Sequence, residues 1–296
     1  MLLPKRNDDG EGADEYIDIR NRPDGDTQRR ADEIIATDAL ALVRFGLRAA
    51  DDPRILDTLR VIDAELLTTL PCGPAWHRYT ADGYGEHADG SPFDGTGIGR
   101  VWPLLTGERA HLALAGGDAA AARRLLHAFE AMAGEGGLLP EQCWDAADRP
   151  DRELFFGRPA GSAMPLVWAH AEYLKLVRSL ADGHVFDLPP QTRRRYIEQR
   201  QGSSVRAWRY NLRLRDLPAG CTLRIETRAP ARVRWSTDEW RTANDSDTRA
   251  SGLGMHYVDL PTAALPVGTW VRFTHYWPEA ARWEGRDFAV VIAKID

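Results

Sequence analysis

The sequence predicts an α + β multidomain protein, a helical barrel or toroid followed by an antiparallel β-sandwich. Three observations predict it. Up to about residue 185 the apolar residues recur at three- and four-residue spacing, the period of a helix. Beyond that point they alternate by two, the period of a strand. Two long glycine-rich connections, 71–99 and 134–161, separate the helical stretches, and loops of that length inside a domain usually carry function.

Residues 1–15 are charged and glycine-containing, which predicts a disordered tail. A short extended piece follows at 16–20. A first helix is expected from Asp38, with Leu40, Val43 and Leu47 on one face. Asp52–Pro53 is a start signal, an N-cap with proline at the first helical position; Ile55, Leu59, Ile62 and Leu66 then form the stripe. A third helix is expected over 104–115, stopped by Gly116–Gly117. Asp118 caps a fourth, with Ala122, Leu125, Leu126, Phe129 and Met132 inward. Ser162 caps a fifth, with Leu166, Ala169, Tyr173, Val177 and Leu180 inward and Gly183 as its end.

Residues 186–201, with Pro189–Pro190 and a run of arginines, read as a linker, and 202–296 as the β-domain. Trp208, Tyr210, Leu212 and Leu214 are expected on one face of a strand. Leu223–Ile225, Val233–Trp235, Val271–Phe273 and Phe288–Ile292 read as further strands, about six or seven in all.

Composition excludes several functions. The formal charge is −6 and is spread along the chain; phosphate neutralisation needs a basic patch, so no nucleic-acid partner is expected. No apolar run approaches the roughly 20 residues of a membrane span, so no membrane partner is expected. The first residues lack the apolar region of a secretory signal. The three cysteines, Cys72, Cys143 and Cys221, form no C-x-x-C pair, which leaves zinc and dithiol chemistry unsupported. Their odd number leans towards a reducing compartment. Gly95-Thr-Gly-Ile-Gly99 lacks both the dinucleotide spacing and the Walker lysine, so phosphate cradling is rejected. Ten tryptophans stand out. Most must fill cores, while two or three suit the C–H face of a sugar ring.

The segment carrying chemistry is Gly137-Leu-Leu-Pro-Glu-Gln-Cys-Trp-Asp145. Glu141 follows a proline between two helices, with Gln142 and Trp144 beside it. A carboxylate held against an indole can deprotonate water while the ring supports a sugar. A loop glutamate alone is more often a solvated charge, so other segments decide. Gly99-Arg-Val-Trp-Pro-Leu-Leu-Thr-Gly-Glu-Arg109, Leu139-Pro-Glu-Gln-Cys-Trp-Asp145 and Gly161-Ser-Ala-Met-Pro-Leu-Val-Trp-Ala-His-Ala-Glu-Tyr173 together resemble bacterial glycoside hydrolase family 15, the glucoamylase and glucodextranase group. Trp76-His-Arg-Tyr79, Asp82-Gly-Tyr-Gly-Glu86 and Arg234-Trp-Ser-Thr-Asp-Glu-Trp240 fit the same family, extending the resemblance over about 15–296.

The resemblance implies an (α/α)₆ barrel, of which this chain supplies about the last five or six helices. It also implies an inverting mechanism that releases glucose from the non-reducing ends of an α-glucan or maltooligosaccharide, with no metal or organic cofactor. The general base falls on Glu141. Arg100 matches an arginine that hydrogen-bonds hydroxyls of the terminal glucose, and Gln142, Trp102, Trp144 and Trp168 are implied to line the pocket. The general acid belongs in a Trp-Glu-Glu-like motif that this sequence does not contain; Trp283-Glu-Gly285 lies in the β-domain. The chain is therefore expected to lack the general-acid half, to be inactive by itself, and to have the N-terminal half of the barrel as a partner. Two other readings stay open. The β-domain, with Trp235, Trp240, Trp270, Trp277 and Trp283, can hold glucan without cleaving it, or the chain is an inactive fragment. Compartment and linkage preference are not legible.

Overall fold

The computed structural model describes residues 16–294, the side chain of Asp32 excepted; the tail expected at 1–15 lies outside the described residues. The chain divides into two compact units, Met1–Gln201 and Gly202–Asp296.

The first unit opens on a small hairpin, β1 (Tyr16–Asp18) against β2 (Gln28–Arg30). The helix expected from Asp38 is short. A 3₁₀ turn, Thr37–Leu40, leads into α1 (Ala41–Arg44). Gly46, at φ +71, then turns the chain out of the helix, so Leu47 is exposed instead of facing inward. In α2 (Pro53–Glu65) the expected cap is present: the Asp52 carboxylate accepts the Arg54 N–H at 3.0 Å. Ile55, Ile62 and Leu66 are buried. The hairpin of β3 (Leu67–Leu70) and β4 (Gly73–Trp76) was not anticipated and turns at Pro71–Cys72.

α3 (Pro103–Ala115) is the most buried helix of the unit. It packs on α4 (Ala119–Ala131) and α5 (Val167–Asp182). Gly107 permits this approach, because a Cβ there would sit 2.8 Å from both Glu172 Cγ and Phe129 Cε1. Asp118 caps α4 by accepting the Ala121 N–H at 2.8 Å. Ser162 does not cap α5. Its hydroxyl accepts the Gln142 N–H at 3.0 Å, and α5 begins after Leu166 with no side-chain cap. Its inward residues are Ala169, Glu172, Leu176 and Ser179, while Val177 is exposed. Gly183 ends it as expected, at φ +74. The stretch read as a linker contains α6 (Pro190–Arg193) and a π-helical turn, Arg194–Glu198.

Between α1, α3 and α5 lies a buried ionic cluster. Arg44 Nη1 donates to both Glu172 oxygens at 2.8 Å, and Arg44 Nη2 donates to Asp187 at 2.8 Å. His111 Nδ1 lies 2.8 Å from Glu172, and its Nε2 lies 3.1 Å from the Ser179 hydroxyl. Burial alone would raise the Glu172 carboxyl, but His111 and Arg44 hold it below the usual range. Glu108, partly buried nearby, is pushed up to about 7 by desolvation and by the charge of Glu172. The native state thus keeps a proton on Glu108 where the unfolded chain has lost it, so stability falls as pH rises from the ordinary carboxylate range through about 7. Denaturant melts of Glu108→Gln should show that loss flattened; a fall over this window as steep as in the parent chain would contradict the assignment.

The second unit is built of ten strands among the described residues: β5 (Val205–Trp208), β6 (Asp216–Pro218), β7 (Thr222–Thr227), β8 (Arg232–Ser236), β9 (Asn244–Asp247), β10 (Arg249–Ala250), β11 (His256–Leu260), β12 (Trp270–Trp277), β13 (Arg282–Trp283) and β14 (Phe288–Ala293). One sheet runs β10-β11-β7-β5. The other runs β6-β14-β12-β8-β9, with β13 paired to β12. The alternation is visible in β7 and β14, where every second residue is buried. Inward residues of both sheets form one core around Trp208, Phe273 and Phe288. Two expectations are corrected. The sheets are mixed, since β5 pairs with β7 and β6 with β14 in parallel. Residues 209–215 do not continue a strand: Arg209 and Leu212 exchange backbone hydrogen bonds at 3.1 Å across a tight turn, which leaves Leu212 exposed. His275 is buried against Trp208 and Trp277, and desolvation pushes its pKa down to about 4.

Candidate active site

The site is built by the two long connections of the first unit. Backbone bonds fasten the segment around Glu141 on both sides. The Glu141 N–H donates to Ala163 O at 2.8 Å, Cys143 N–H to Val101 O at 3.0 Å and Trp144 N–H to Arg158 O at 2.8 Å. The Leu139 N–H donates to His170 Nε2 of α5 at 3.0 Å. The 139–144 segment is therefore an extended piece held between 99–102 and 158–163, and the Glu141 side chain has a fixed origin.

Its carboxylate accepts the Tyr84 hydroxyl at 3.3 Å. Burial, then the Glu141 charge, raises the Tyr84 pKa, so the phenol stays a donor. Arg78 lies close enough to feel Glu141. Burial would lower its pKa, but Asp82, Tyr79 and Glu141 raise it and keep it charged. Two bonds of 2.8 Å clamp its guanidinium to the Asp82 carboxylate. It lies 4.7 Å from the Trp102 ring and 5.2 Å from Tyr84. Trp102 in turn meets Tyr84 at 6.4 Å and Trp168 at 6.3 Å between centroids. Trp168, in the first turn of α5, is 56 % exposed. A carboxylate, a fixed cation, a phenol and an aromatic wall thus converge.

The expected residues divide into two groups. Glu141, Trp102 and Trp168 are brought together with Tyr84 and Arg78. Arg100, Gln142 and Trp144 are buried and packed together. Arg100 is 3 % exposed, lies 4.0 Å over the Trp144 ring, and donates to Asp145 and to the carbonyls of Glu86 and His87 at 3.0–3.2 Å. Its two Nη groups are engaged by the protein, while among the described residues its Nε has no hydrogen-bond partner. Trp144 is fully buried under Arg100, its indole N–H donating to Ala147 O at 2.9 Å. Gln142 Oε1 accepts the Arg100 backbone N–H at 2.8 Å. Arg78 and Tyr84 were not singled out in the sequence. The signal was the Arg78/Asp82 pair at four-residue spacing with a tyrosine two residues on.

Among the described residues no group of histidine, cysteine or carboxylate side chains is arranged to hold a metal ion. No described helix is long and apolar enough to cross a membrane.

No family model matches this chain. It is 44 % identical over 165 residues to a glucoamylase of Clostridium sp. (strain G0005), a match covering 56 % of this chain and 22 % of that protein. Its structure is similar to the crystal structure of a bacterial glucoamylase complexed with acarbose, at a TM-score of 0.56 and 41 % identity, over 62 % of this chain and 25 % of that one. The chain thus spans about a quarter of the length of these relatives. The matched stretch is shorter than the span 15–296 that the motifs suggested.

Proposed function

Since this chain is glucoamylase-like over part of its length, we propose that it carries the general-base half of an inverting glucohydrolase that releases glucose from the non-reducing ends of α-glucans. The observation that carries this reading is the Glu141 carboxylate accepting the Tyr84 hydroxyl, with Tyr84 packed against Arg78 and Trp102, and Trp102 against Trp168. Glu141 takes a proton from the attacking water. Tyr84 orients the carboxylate. Arg78, locked by Asp82, presents a fixed positive charge to sugar oxygens. Trp168 offers a ring face to the C–H side of the glucose. The same reading makes the helices of the first unit part of an (α/α)₆ barrel and the second unit an accessory β-sandwich.

Inversion needs a second carboxyl roughly 6.5–9.5 Å from the base, leaving room for water. We assign that acid to a Trp-Glu-Glu-like segment outside this chain. The outer face of α5 supports a partner of this kind: Val167 is 80 % exposed and Leu174 67 %, and an apolar stripe on one helix face marks a surface meant to be covered. The purified chain should release no detectable glucose from maltotriose or starch, and addition of the acid-bearing segment should restore release. Robust release by the chain alone would overturn the division of the site. A non-catalytic carbohydrate-binding role has one observation in its favour, the exposure of Trp270 and Trp283. Starch retention without release, even after the missing segment is supplied, would favour it.

A further inference from the structure

Leu139 is the last residue before Glu141 that can donate a backbone hydrogen bond, because Pro140 between them has no N–H. Both of its backbone polar atoms are bound at the start of α5. Its carbonyl accepts the Leu166 N–H at 2.9 Å, and its N–H donates to His170 Nε2 at 3.0 Å. Leu166 and His170 are four residues apart and so stand one above the other on a single helix face, where the His170 N–H also donates to Leu166 O at 3.2 Å. An imidazole that accepts at Nε2 carries its ring proton on Nδ1. Leu139 is 4 % exposed, and an N–H left there without an acceptor is costly. The helix depends on the contact as well. α5 has no side-chain cap, and the Leu139 carbonyl takes one of the N–H groups that a helix start leaves over.

Trp168 lies in the same turn, two residues before His170, and its exposed indole meets Trp102 at 6.3 Å. Glu141 lies two residues after Leu139. The clamp on Leu139 therefore ties the carboxylate's segment and the exposed indole to one turn of one helix. We propose that His170 is a positioning residue that sets the register of Glu141 against Trp168, acting through Leu139 and not on the sugar. The inference rests on the glucan reading above, in which Glu141 takes the water's proton and Trp168 supports the ring. Loss of the acceptor releases the Leu139 N–H and lets the carboxylate drift relative to the ring platform. A misplacement of about 1 Å costs on the order of 10²-fold in rate. The bonds to Ala163, Val101 and Arg158 remain, so the drift and its cost are smaller than that.

Two substitutions test it. His170→Gln can place Oε1 where Nε2 accepts, while His170→Phe keeps a ring and removes the acceptor. Amide hydrogen exchange of the whole purified chain reads the contact without any need for activity. In His170→Phe the Leu139 and Glu141 amides should exchange about tenfold faster, the loss of one buried hydrogen bond, with the amides of α3 changed far less. In His170→Gln they should exchange near the parent's rates. With the acid-bearing counterpart supplied, His170→Phe should lose about tenfold in kcat on maltotriose at an unchanged KM, and His170→Gln should recover most of it. Leu139 and Glu141 amides that exchange in His170→Phe as in the parent would overturn the proposal. So would a lowered Tm with kcat and KM of the folded protein unaltered, which marks a merely structural contact. Glucose release that survives Glu141→Gln would overturn the glucan reading instead, and the exchange rates would still support or overturn the hold of His170 on the segment.

Discussion

Glutamine in place of Glu141 should lower glucose release from maltotriose by about 10²–10⁴-fold when the chain is supplied with its acid-bearing counterpart. The substitution keeps the shape of the side chain, and its amide oxygen can still accept the Tyr84 hydroxyl that the carboxylate accepts at 3.3 Å. What it removes is a place for the water's proton. The loss should fall on kcat with KM nearly unchanged, because the base acts in the transition state and contributes little to ground-state binding. Thermal unfolding should not move, since the backbone bonds that fix this segment belong to residues 139–144 and their neighbours, not to the carboxylate. A reduction below tenfold, in a variant that still binds maltotriose, would exclude Glu141 as the base.

The second large effect concerns stability. Replacing Arg44 with methionine leaves the buried Glu172 with only His111 and the half-buried Asp187 with only Lys175, at 3.3 Å. Breaking a buried ion pair from one side costs about 3–5 kcal/mol. For a unit of this size that corresponds to a fall in Tm of roughly 10 °C. Replacing Glu172 together with Arg44 should recover part of the loss, because fewer uncompensated charges remain. Arg44 holds the Asp187 carboxyl below its usual range, against the opposing effect of burial, as it does for Glu172. The cluster's contribution is therefore present above the ordinary carboxylate range and is lost on acidification. A Tm change under about 2 °C for Arg44→Met would show that the cluster is solvated in practice.

Much of this architecture could be read from the residues. Asp52–Pro53 and Asp118 start helices because their carboxylates take orphan N–H groups, a requirement that needs no tertiary information. The loop position of Glu141 followed from the helices on either side of it. What packing decides could not be read. Arg100 and Arg78 look alike in sequence, since both lie in glycine-rich connections among aromatic residues. Only packing decides that Arg100 is stacked under cover on Trp144 while Arg78 is clamped by Asp82 against Tyr84. Trp144, placed on the pocket wall by its neighbours in sequence, is fully buried. The parallel pairs of the second unit were invisible for a similar reason: alternation reports which face is buried, not which strand lies alongside. At Tyr210–Asn211 the alternation continues through a reversal of the chain, so periodicity alone reads straight through a turn.

The fastening of the 139–144 segment has a further consequence. Among the described residues, Ala163, Val101, Arg158 and His170 hold the backbone around Glu141, and Tyr84 meets its side chain. On the reading that Glu141 is the base, it is preorganised before any acid arrives. On that reading, assembly of a working enzyme is a binding equilibrium between two surfaces, whether joined by a peptide or separate. The fraction of complete sites follows concentration and affinity by mass action, independently of any rearrangement around the base.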